Sequence, residues 1–168
     1  KRARLGNAVG LDTPASAVRL LERMRADGYV VTRVPADGDS LMAELAAGFT
    51  YDQPRLTAAQ VAVAAGSLPT AAYEQWYAQL PTSVHDELEP LWGPAPGDVY
   101  VTDGAFHFPG LDLGNVLVTI QPPRGFGADP IATYHAPDMP PPHHYMAFYR
   151  WLATPAADGG WGADAIVH

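Results

Sequence analysis

The apolar positions of the first third of the chain follow two spacings, one typical of strands and one typical of helices. Ala3–Gly10 mixes apolar residues with glycine, which predicts a strand that enters a tight turn. The following stretch repeats apolar residues about every 3.6 positions, which predicts a helix that ends by Gly28. Asp12 or Thr13 is suited to its N-cap, and Pro14 to its first helical position.

The same alternation continues with a second strand and a second helix. Tyr29–Pro35 predicts the strand and Gly38–Gly48 the helix. Strand, helix, strand, helix is the order of a parallel βαβ unit with helices packed on a sheet. We therefore expect an α/β fold. Its centre would be an open, mostly parallel, Rossmann- or flavodoxin-like sheet with helices on both faces, beginning with residues 1–55.

The middle of the chain, residues 56–97, is helical in pattern. Thr57 and Gln60 have the spacing of a capping box and predict a helix start. Two more short helices begin at Thr70 and Thr82, and each is closed by proline or glycine. This segment is predicted to be a compact helical insertion.

Residues 98–168 return to strands and hold the candidate chemistry. Gly114–Pro123 is a near-continuous apolar run that ends in two prolines, as expected of a buried central strand. The loop after it would lie at the carboxyl end of that strand, where open α/β sheets bind ligands. A helix after Pro142 and a last, truncated strand over residues 163–168 complete the prediction.

Composition narrows the function classes. Hydrophobic residues make up 48% and charged residues 17% of 168 residues, which is ordinary for a globular domain. The net charge is -8 and the single lysine is Lys1, so nucleic acid and anionic membrane are poor partners. There is no apolar run of about 18 residues and no recognisable leader. Cysteine is absent, which excludes disulfides and thiolate chemistry and fits a cytoplasmic location.

The two ends of the chain suggest a piece of a longer protein. The sequence begins at Lys1 without an initiator methionine and ends in an apolar run without a closing turn. We expect further chain on at least one side.

Two adjacent histidines, His143 and His144, follow three prolines in a predicted first helical turn. The positive end of the helix dipole favours neutral imidazole, the form that binds metal or accepts a proton. Adjacent helical residues diverge by about 100°, however, so one ion would need a single member of the pair with remote ligands. His135, His107 and Asp138 are the candidates for such ligands. Alternatively, one histidine caps or packs and the other faces solvent.

The strand-end loop carries Gln121 and Arg124. Arg124 lies between a proline and a glycine and offers a planar fork for a carboxylate, or it pairs with Asp129. Gln121 either points into the crevice or satisfies loop backbone groups. The residues alone leave two hypotheses open: a binding surface for an anionic organic ligand, and a histidine-based metallohydrolase. The absence of an HExxH pattern weakens the second.

The C-terminal third also resembles a known family. The stretch "GNVLVTIQPPRGFGADPIATYHAPDMPPPHHYMAFYRWL", followed by "GADAIVH", is similar to the large subunit of aerobic cobaltochelatase. That family includes the porphyrin-binding large subunit of magnesium chelatase. "GNAVGLDTPASAVRLL" near the start supports the same resemblance.

The resemblance implies part of the tetrapyrrole-binding subunit of an ATP-dependent cobaltochelatase. The substrates would be Co²⁺ and hydrogenobyrinic acid a,c-diamide, in aerobic cobalamin biosynthesis. An AAA+ ATPase and an adaptor with an integrin-like domain would be the partners and would supply the energy of ATP hydrolysis. No permanently bound cofactor is expected, and the isolated segment is expected to be inactive.

The resemblance also suggests roles for individual residues. It implies metal delivery or proton abstraction by histidines of the motif: His143, His144 and His135, with His143 and His144 as transient metal ligands. It implies contacts to the macrocycle by residues of the loop and helix: Gln121, Arg124, Gly125, Tyr134 and Tyr145. The alternative is that the segment is scaffold and contributes only packing and partner contacts.

Overall fold

The structure is a computed structural model that describes residues 7–8, 10–51, 55–124 and 139–167. The helices are α1 (Thr13–Ala26), α2 (Gly38–Ala47), α3 (Ala58–Ala62), α4 (Thr70–Tyr77), α5 (Thr82–Trp92) and α6 (His143–Ala153), followed by a short 3-10 turn (Ala156–Asp158). The strands are β1 (Asn7–Ala8), β2 (Leu11–Asp12), β3 (Gly66–Pro69), β4 (Val101–Thr102), β5 (Ala105–Phe108), β6 (Gly110–Asp112) and β7 (Leu117–Thr119). The chain divides into two compact units.

The first unit comprises Lys1–Asp52, Thr57–Ala65 and Phe108–Ile120. Helix α1 begins where the sequence predicts, because the Asp12 side chain accepts a hydrogen bond from the N–H of Ala15 at 3.0 Å. Helix α3 begins with the predicted capping box.

The core of the first unit lies between helices α1 and α2 and the β6–β7 hairpin. One cluster is built on Val18, Leu41 and Leu45, against which Val118 and Ile120 pack. A second cluster, on the next turn of α1, holds buried apolar residues from three segments: Leu21, Val31 and Leu113. Helix α1 therefore buries the stripe that its 3.6-residue periodicity marks.

The strands correct the predicted sheet. β1 pairs with β2, β4 with β5, and β6 with β7, and each pairing is antiparallel. The described residues thus form small antiparallel sheets, two of two strands and one of three in the order β3-β5-β4, instead of an open, mostly parallel sheet. The physical reason is turn chemistry. Asp103 and Gly104 both have positive φ (51° and 73°) and join β4 to β5 directly.

The predicted central strand Gly114–Pro123 is also shorter than expected. Only Leu117–Thr119 is strand, and it pairs with β6 across a turn in which the N–H of Leu113 donates to the carbonyl of Val116 at 2.8 Å. Gly114 has a φ of 97° in this turn. Glycine followed by asparagine between apolar runs is a hairpin signal, and this signal outweighs the apolar run.

The other predicted strands change in similar ways. Tyr29–Pro35 makes one isolated antiparallel bridge, between Val31 and Gly114. The N–H of Val30 donates to the side-chain oxygen of Asn115, at 2.8 Å. Over the described part of residues 163–168 no strand forms, and Val167 is 81% exposed. Of the strand predicted over Ala3–Gly10, Asn7–Ala8 form β1 of a hairpin, and residues 3–6 and 9 lie outside the described residues.

The second unit comprises Gln53–Leu56, Gly66–His107 and Gln121–His168. It contains helices α4, α5 and α6 and the three-stranded sheet. Helix α6 begins directly after Pro142, as the proline run predicts. It buries one face made of six residues: His143, His144, Ala147, Phe148, Trp151 and Leu152. Among the described residues, no helix is both long and apolar enough to cross a membrane.

Trp151 fixes α6 against β3 and provides a test of this packing. A Cβ placed on Gly66 would lie 2.1 Å from Cζ2 of Trp151, which is buried. Gly66→Ala should therefore destabilise the protein by about 1–3 kcal/mol, the usual cost of overpacking. Gly48→Ala is the control, since its Cβ would meet only the carbonyl oxygen of Leu45, at 3.5 Å. Equal urea-unfolding midpoints for the two variants would contradict the packing.

Candidate functional site

The first turn of α6 places the two adjacent histidines in the interior. His143 and His144 are each only 3% exposed. Pro142 is the N-cap, with extended backbone, and no side chain caps the helix start. The indole N–H of Trp92 donates to the carbonyl of Pro140 at 2.9 Å, which fixes the approach to the helix. The stiff proline segment and this bond together set where the helix begins.

His143 is hydrogen-bonded through both ring nitrogens. Nε2 lies 2.9 Å from the carbonyl oxygen of Gly93, and Nδ1 lies 2.9 Å from the hydroxyl of Tyr73. A carbonyl oxygen can only accept, so Nε2 carries the proton. In the neutral ring Nδ1 then accepts the hydroxyl proton of Tyr73. Burial lowers the pKa of His143 and favours this neutral form, against a smaller opposing effect of the Gly93 carbonyl.

His144 points to different partners. Its Nε2 lies 2.8 Å from the carbonyl oxygen of Pro123, so Nε2 again carries the proton. The ring of Tyr100 packs edge-on against it with centroids 4.7 Å apart. The pKa of His144 is lowered to about 4, chiefly by burial and to a smaller extent by the neighbouring His143, while the bond to Pro123 opposes them. His144 is therefore neutral at pH 7, with its unprotonated nitrogen at Nδ1.

The two histidines do not converge on one point, as the helix geometry predicts. Among the described residues, no group of three or more His, Cys, Asp or Glu side chains is arranged to hold a metal ion. Of the remote ligands considered, His107 lies elsewhere, with Nε2 3.1 Å from the carbonyl of Thr102. His135 and Asp138 lie outside the described residues.

The residues after β7 are tied to α6 by their side chains. The amide nitrogen of Gln121 donates to the hydroxyls of Tyr145 and Tyr149, at 2.8 and 2.6 Å. Both N–H groups of the Gln121 amide therefore donate to tyrosines. The carbonyl oxygen of this exposed side chain is the atom suited to accept a hydrogen bond from a ligand. Arg124 donates to the carbonyl of Met139 at 3.4 Å, a weak bond that leaves most of its N–H groups for another acceptor.

A small cleft opens beside the histidines. Its lining comes from the start of α6 and the turn after α5: His143, His144, Trp92, Pro96, Gly97 and Asp98. The lining residues thus include two histidines, a tryptophan and an aspartate. These groups are chemically suited to a small polar guest or to the edge of a larger flat one.

The structure brings together part of the predicted site. Gln121, His144 and Tyr145 belong to the contacts between the residues after β7 and α6, and Arg124 bonds Met139, which precedes that helix. Gly125, Tyr134 and His135 lie outside the described residues, as does Asp129, the alternative partner of Arg124.

Sequence reasoning missed other members of the site. Tyr73 and Gly93 hold His143, Tyr100 packs on His144, and Tyr149 shares Gln121. No motif marks them. Tyr73 and Tyr77 are spaced i,i+4 and Tyr145 and Tyr149 likewise, so each pair shares a helix face, and that spacing is the one signal available.

Comparison with known proteins identifies the family. The family model described as CobN/Magnesium Chelatase matches residues 1–168. The chain belongs to this family.

Individual members agree. The chain is 42% identical over 165 residues to the aerobic cobaltochelatase subunit CobN of Sinorhizobium sp, covering 98% of this chain and 12% of that protein. It is 39% identical over 165 residues to the CobN protein of Pseudomonas aeruginosa, covering 98% and 13%. It is 30% identical over 167 residues to a magnesium-chelatase subunit of Rhodobacter capsulatus, covering 97% and 12%. The chain thus spans about an eighth of the length of these relatives.

A solved structure supports the same assignment. The catalytic subunit of cobaltochelatase from Mycobacterium tuberculosis matches with a TM-score of 0.74 and 41% sequence identity. The match covers 94% of this chain and 13% of that one. A solved relative therefore shares the fold described above over most of this chain.

The burial of His144 generates a pH prediction. An unfolded chain binds a proton on this histidine below its ordinary pKa of 6.5, whereas the folded chain resists protonation down to about pH 4. Stability is therefore fully present above pH 6.5 and is lost as the pH falls towards 4, by about 3 kcal/mol. His143, whose pKa is also lowered, acts in the same direction. Urea unfolding at pH 7 and pH 4 measures the loss.

His144→Gln is the control for this prediction. Glutamine keeps an N–H donor for the carbonyl of Pro123 but does not titrate, so its stability should fall less between pH 7 and pH 4. An identical fall in parent and variant would show that His144 is not the group responsible.

Proposed function

We propose that the chain forms part of the tetrapyrrole-binding subunit of an ATP-dependent cobaltochelatase, which inserts Co²⁺ into hydrogenobyrinic acid a,c-diamide in aerobic cobalamin biosynthesis. The observation that carries the proposal is the family match over the whole chain. The identities favour the cobalt branch, since they are 39–42% with the two CobN proteins and 30% with the magnesium-chelatase protein of Rhodobacter capsulatus. Co²⁺ is a substrate here, and ATP is used by a partner.

The partners are part of the same proposal. An AAA+ ATPase and an adaptor with an integrin-like domain would couple ATP hydrolysis to metal insertion, and the whole assembly would act in the cytoplasm. The net charge of -8 supports the accompanying expectation that neither nucleic acid nor an anionic membrane is a partner.

His144 is proposed as a transient contact of the metal ion, as the family resemblance implies. Insertion replaces the pyrrole N–H protons of the macrocycle by the ion, so a site needs a nitrogen lone pair that carries no proton. A metal ligand must be deprotonated, and the low pKa of His144, about 4, keeps Nδ1 in that state at neutral pH. The same low pKa makes His144 a weak base, which favours transient metal contact over proton abstraction. His135 remains a sequence-based candidate for either task.

Residues near the start of α6 are proposed to bind the rim of the macrocycle. Arg124 has N–H groups to spare for a carboxylate, and the carbonyl oxygen of Gln121 is suited to accept from a carboxamide N–H. The half-buried ring of Tyr145 offers a wall for a flat ligand. Gly125 and Tyr134 are proposed for the same surface on the resemblance alone.

Substitution of Arg124 tests macrocycle binding. In the full-length subunit, Arg124→Gln should weaken tetrapyrrole affinity by about tenfold, because a charge-assisted hydrogen bond is lost. An absorbance titration measures the affinity. Arg19→Gln, at an exposed position of α1, is the matched control and should bind as the parent does. Equal affinities for the two variants would contradict the role of Arg124.

Substitution of His144 tests metal insertion. His144→Gln in the full-length subunit, assayed with ATP and the partner proteins, should bind tetrapyrrole normally but lose most Co²⁺ insertion. His107→Gln is the control, since its Nε2 also lies near a backbone carbonyl. Unchanged insertion by the folded His144 variant would contradict the assignment and favour the scaffold alternative.

Metal analysis separates the metallohydrolase alternative. That reading requires a stoichiometric, permanently bound ion, whereas the chelatase reading requires none.

A further inference from the structure

His143 lies beside His144 in sequence but is held in a different way. Tyr73 touches Nδ1 and Gly93 touches Nε2, both at 2.9 Å. We infer that His143 is a positioning residue, and that Tyr73 and the Gly93 carbonyl hold it in one orientation to shape the cleft beside His144. The three residues Tyr73, His143 and Gly93 are called the His143 clamp below. The inference rests on the proposed function for its catalytic consequence.

The tyrosine side of the clamp cannot easily move. Tyr73 is fully buried, and its ring packs against Phe106 and Trp76 at centroid distances of 5.3 and 5.6 Å. Leaving its hydroxyl unpaired in this aromatic surrounding would cost free energy, and Nδ1 of His143 is the partner that it has. Protonation of Nδ1 would turn the hydroxyl proton of Tyr73 towards apolar rings. The tyrosine therefore favours the neutral histidine with its proton on Nε2.

The carbonyl side of the clamp reaches the cleft. Gly93 ends α5 and opens the turn that continues through Pro96 and Gly97 to Asp98. Gly97 has a φ of 70°, and a Cβ on it would lie 3.4 Å from Cδ2 of His143. The imidazole of His143 thus bonds the turn at Gly93 and leaves little room for a side chain at Gly97. Both His143 and the next residue, His144, line the cleft.

The clamp occupies both ring nitrogens of His143, so neither is available for metal binding or proton transfer. Its Nε2–H is given to Gly93 and its Nδ1 lone pair to Tyr73, so a metal ion or a proton would have to displace Tyr73. A positioning role needs only the shape of the side chain and its two hydrogen bonds. Glutamine can supply a donor and an acceptor about as far apart as the two ring nitrogens, yet it cannot take up a proton at neutral pH.

The test uses the full-length subunit with its partners and ATP, and it measures Co²⁺ insertion. His143→Gln should retain insertion within about threefold of the parent, whereas His143→Ala should lose about tenfold or more through misplacement of the site. Tyr73→Phe should lose about threefold to tenfold, the size of one neutral hydrogen bond. Loss of insertion by His143→Gln, with Tyr73→Phe fully active, would overturn the inference in favour of direct chemistry. Parent-like insertion by all three variants would overturn it as well.

Tyr77→Phe is the matched control. Tyr77 lies one turn further along α4, is 3% exposed, and packs on the His143 ring with centroids 5.1 Å apart. Among the described residues its hydroxyl has no hydrogen-bond partner. The same atom is removed from the same kind of environment, so Tyr77→Phe should leave insertion unchanged. A loss equal to that of Tyr73→Phe would mean that packing, not the bond to His143, is responsible.

A double-mutant cycle of unfolding free energies tests the His143 clamp without any catalytic assay. Unfolding of Tyr73→Phe, His143→Ala and the double variant should show non-additive losses, because both single changes remove the same hydrogen bond. The corresponding cycle with Tyr77→Phe should be additive. Additive losses in the Tyr73 cycle would overturn the clamp. Non-additive losses in a full-length protein that inserts no Co²⁺ would support the clamp and contradict the proposed function.

Discussion

The second unit depends on two hydrogen bonds from consecutive histidines to loop carbonyls. His143 donates to Gly93, and His144 donates to Pro123. A buried carbonyl without a donor costs free energy, and loops lack the ladders that supply donors in helices and sheets. Two residues at the start of α6 therefore satisfy two loops that lie far apart in sequence. Because adjacent helical side chains diverge, one helical turn can serve both loops.

This arrangement changes the meaning of the histidine pair. Two adjacent histidines after a proline run suggest a metal-binding site in the sequence. In the structure, each ring donates a hydrogen bond to a different backbone carbonyl. The low pKa of His144, about 4, and the lowered pKa of His143 follow from the same burial that makes those bonds valuable. Structure and proposed chemistry therefore use one property, neutral imidazole, for two purposes.

Helix starts could be predicted from the sequence, while the pairing of strands could not. The helix starts at Asp12, Thr57 and Pro142 rest on capping and proline geometry, which act within a few residues. The predicted sheet was wrong because an apolar run such as Gly114–Pro123 fits a parallel strand and a hairpin arm equally well. The turn at Gly114 decides between them, and its positive φ has a sequence signal that the apolar run obscured.

The site shows the same limit. The divergence of His143 and His144 follows from helix geometry, so it could be predicted. Tyr73 and Gly93 could not be, because they are 70 and 50 residues away from His143 and carry no motif. The resemblance identified the family, but it did not say which histidine nitrogen was already in use.

Tyr100 is subject to two opposing requirements, one from its backbone and one from its side chain. Its backbone has a φ of 60°, a conformation that costs a non-glycine residue on the order of 1–2 kcal/mol. Glycine would relieve that cost, but it would remove the ring that packs against His144. Backbone and side chain therefore favour opposite replacements at one position. A substitution of Tyr100 therefore either keeps the backbone cost or loses the ring contact with His144.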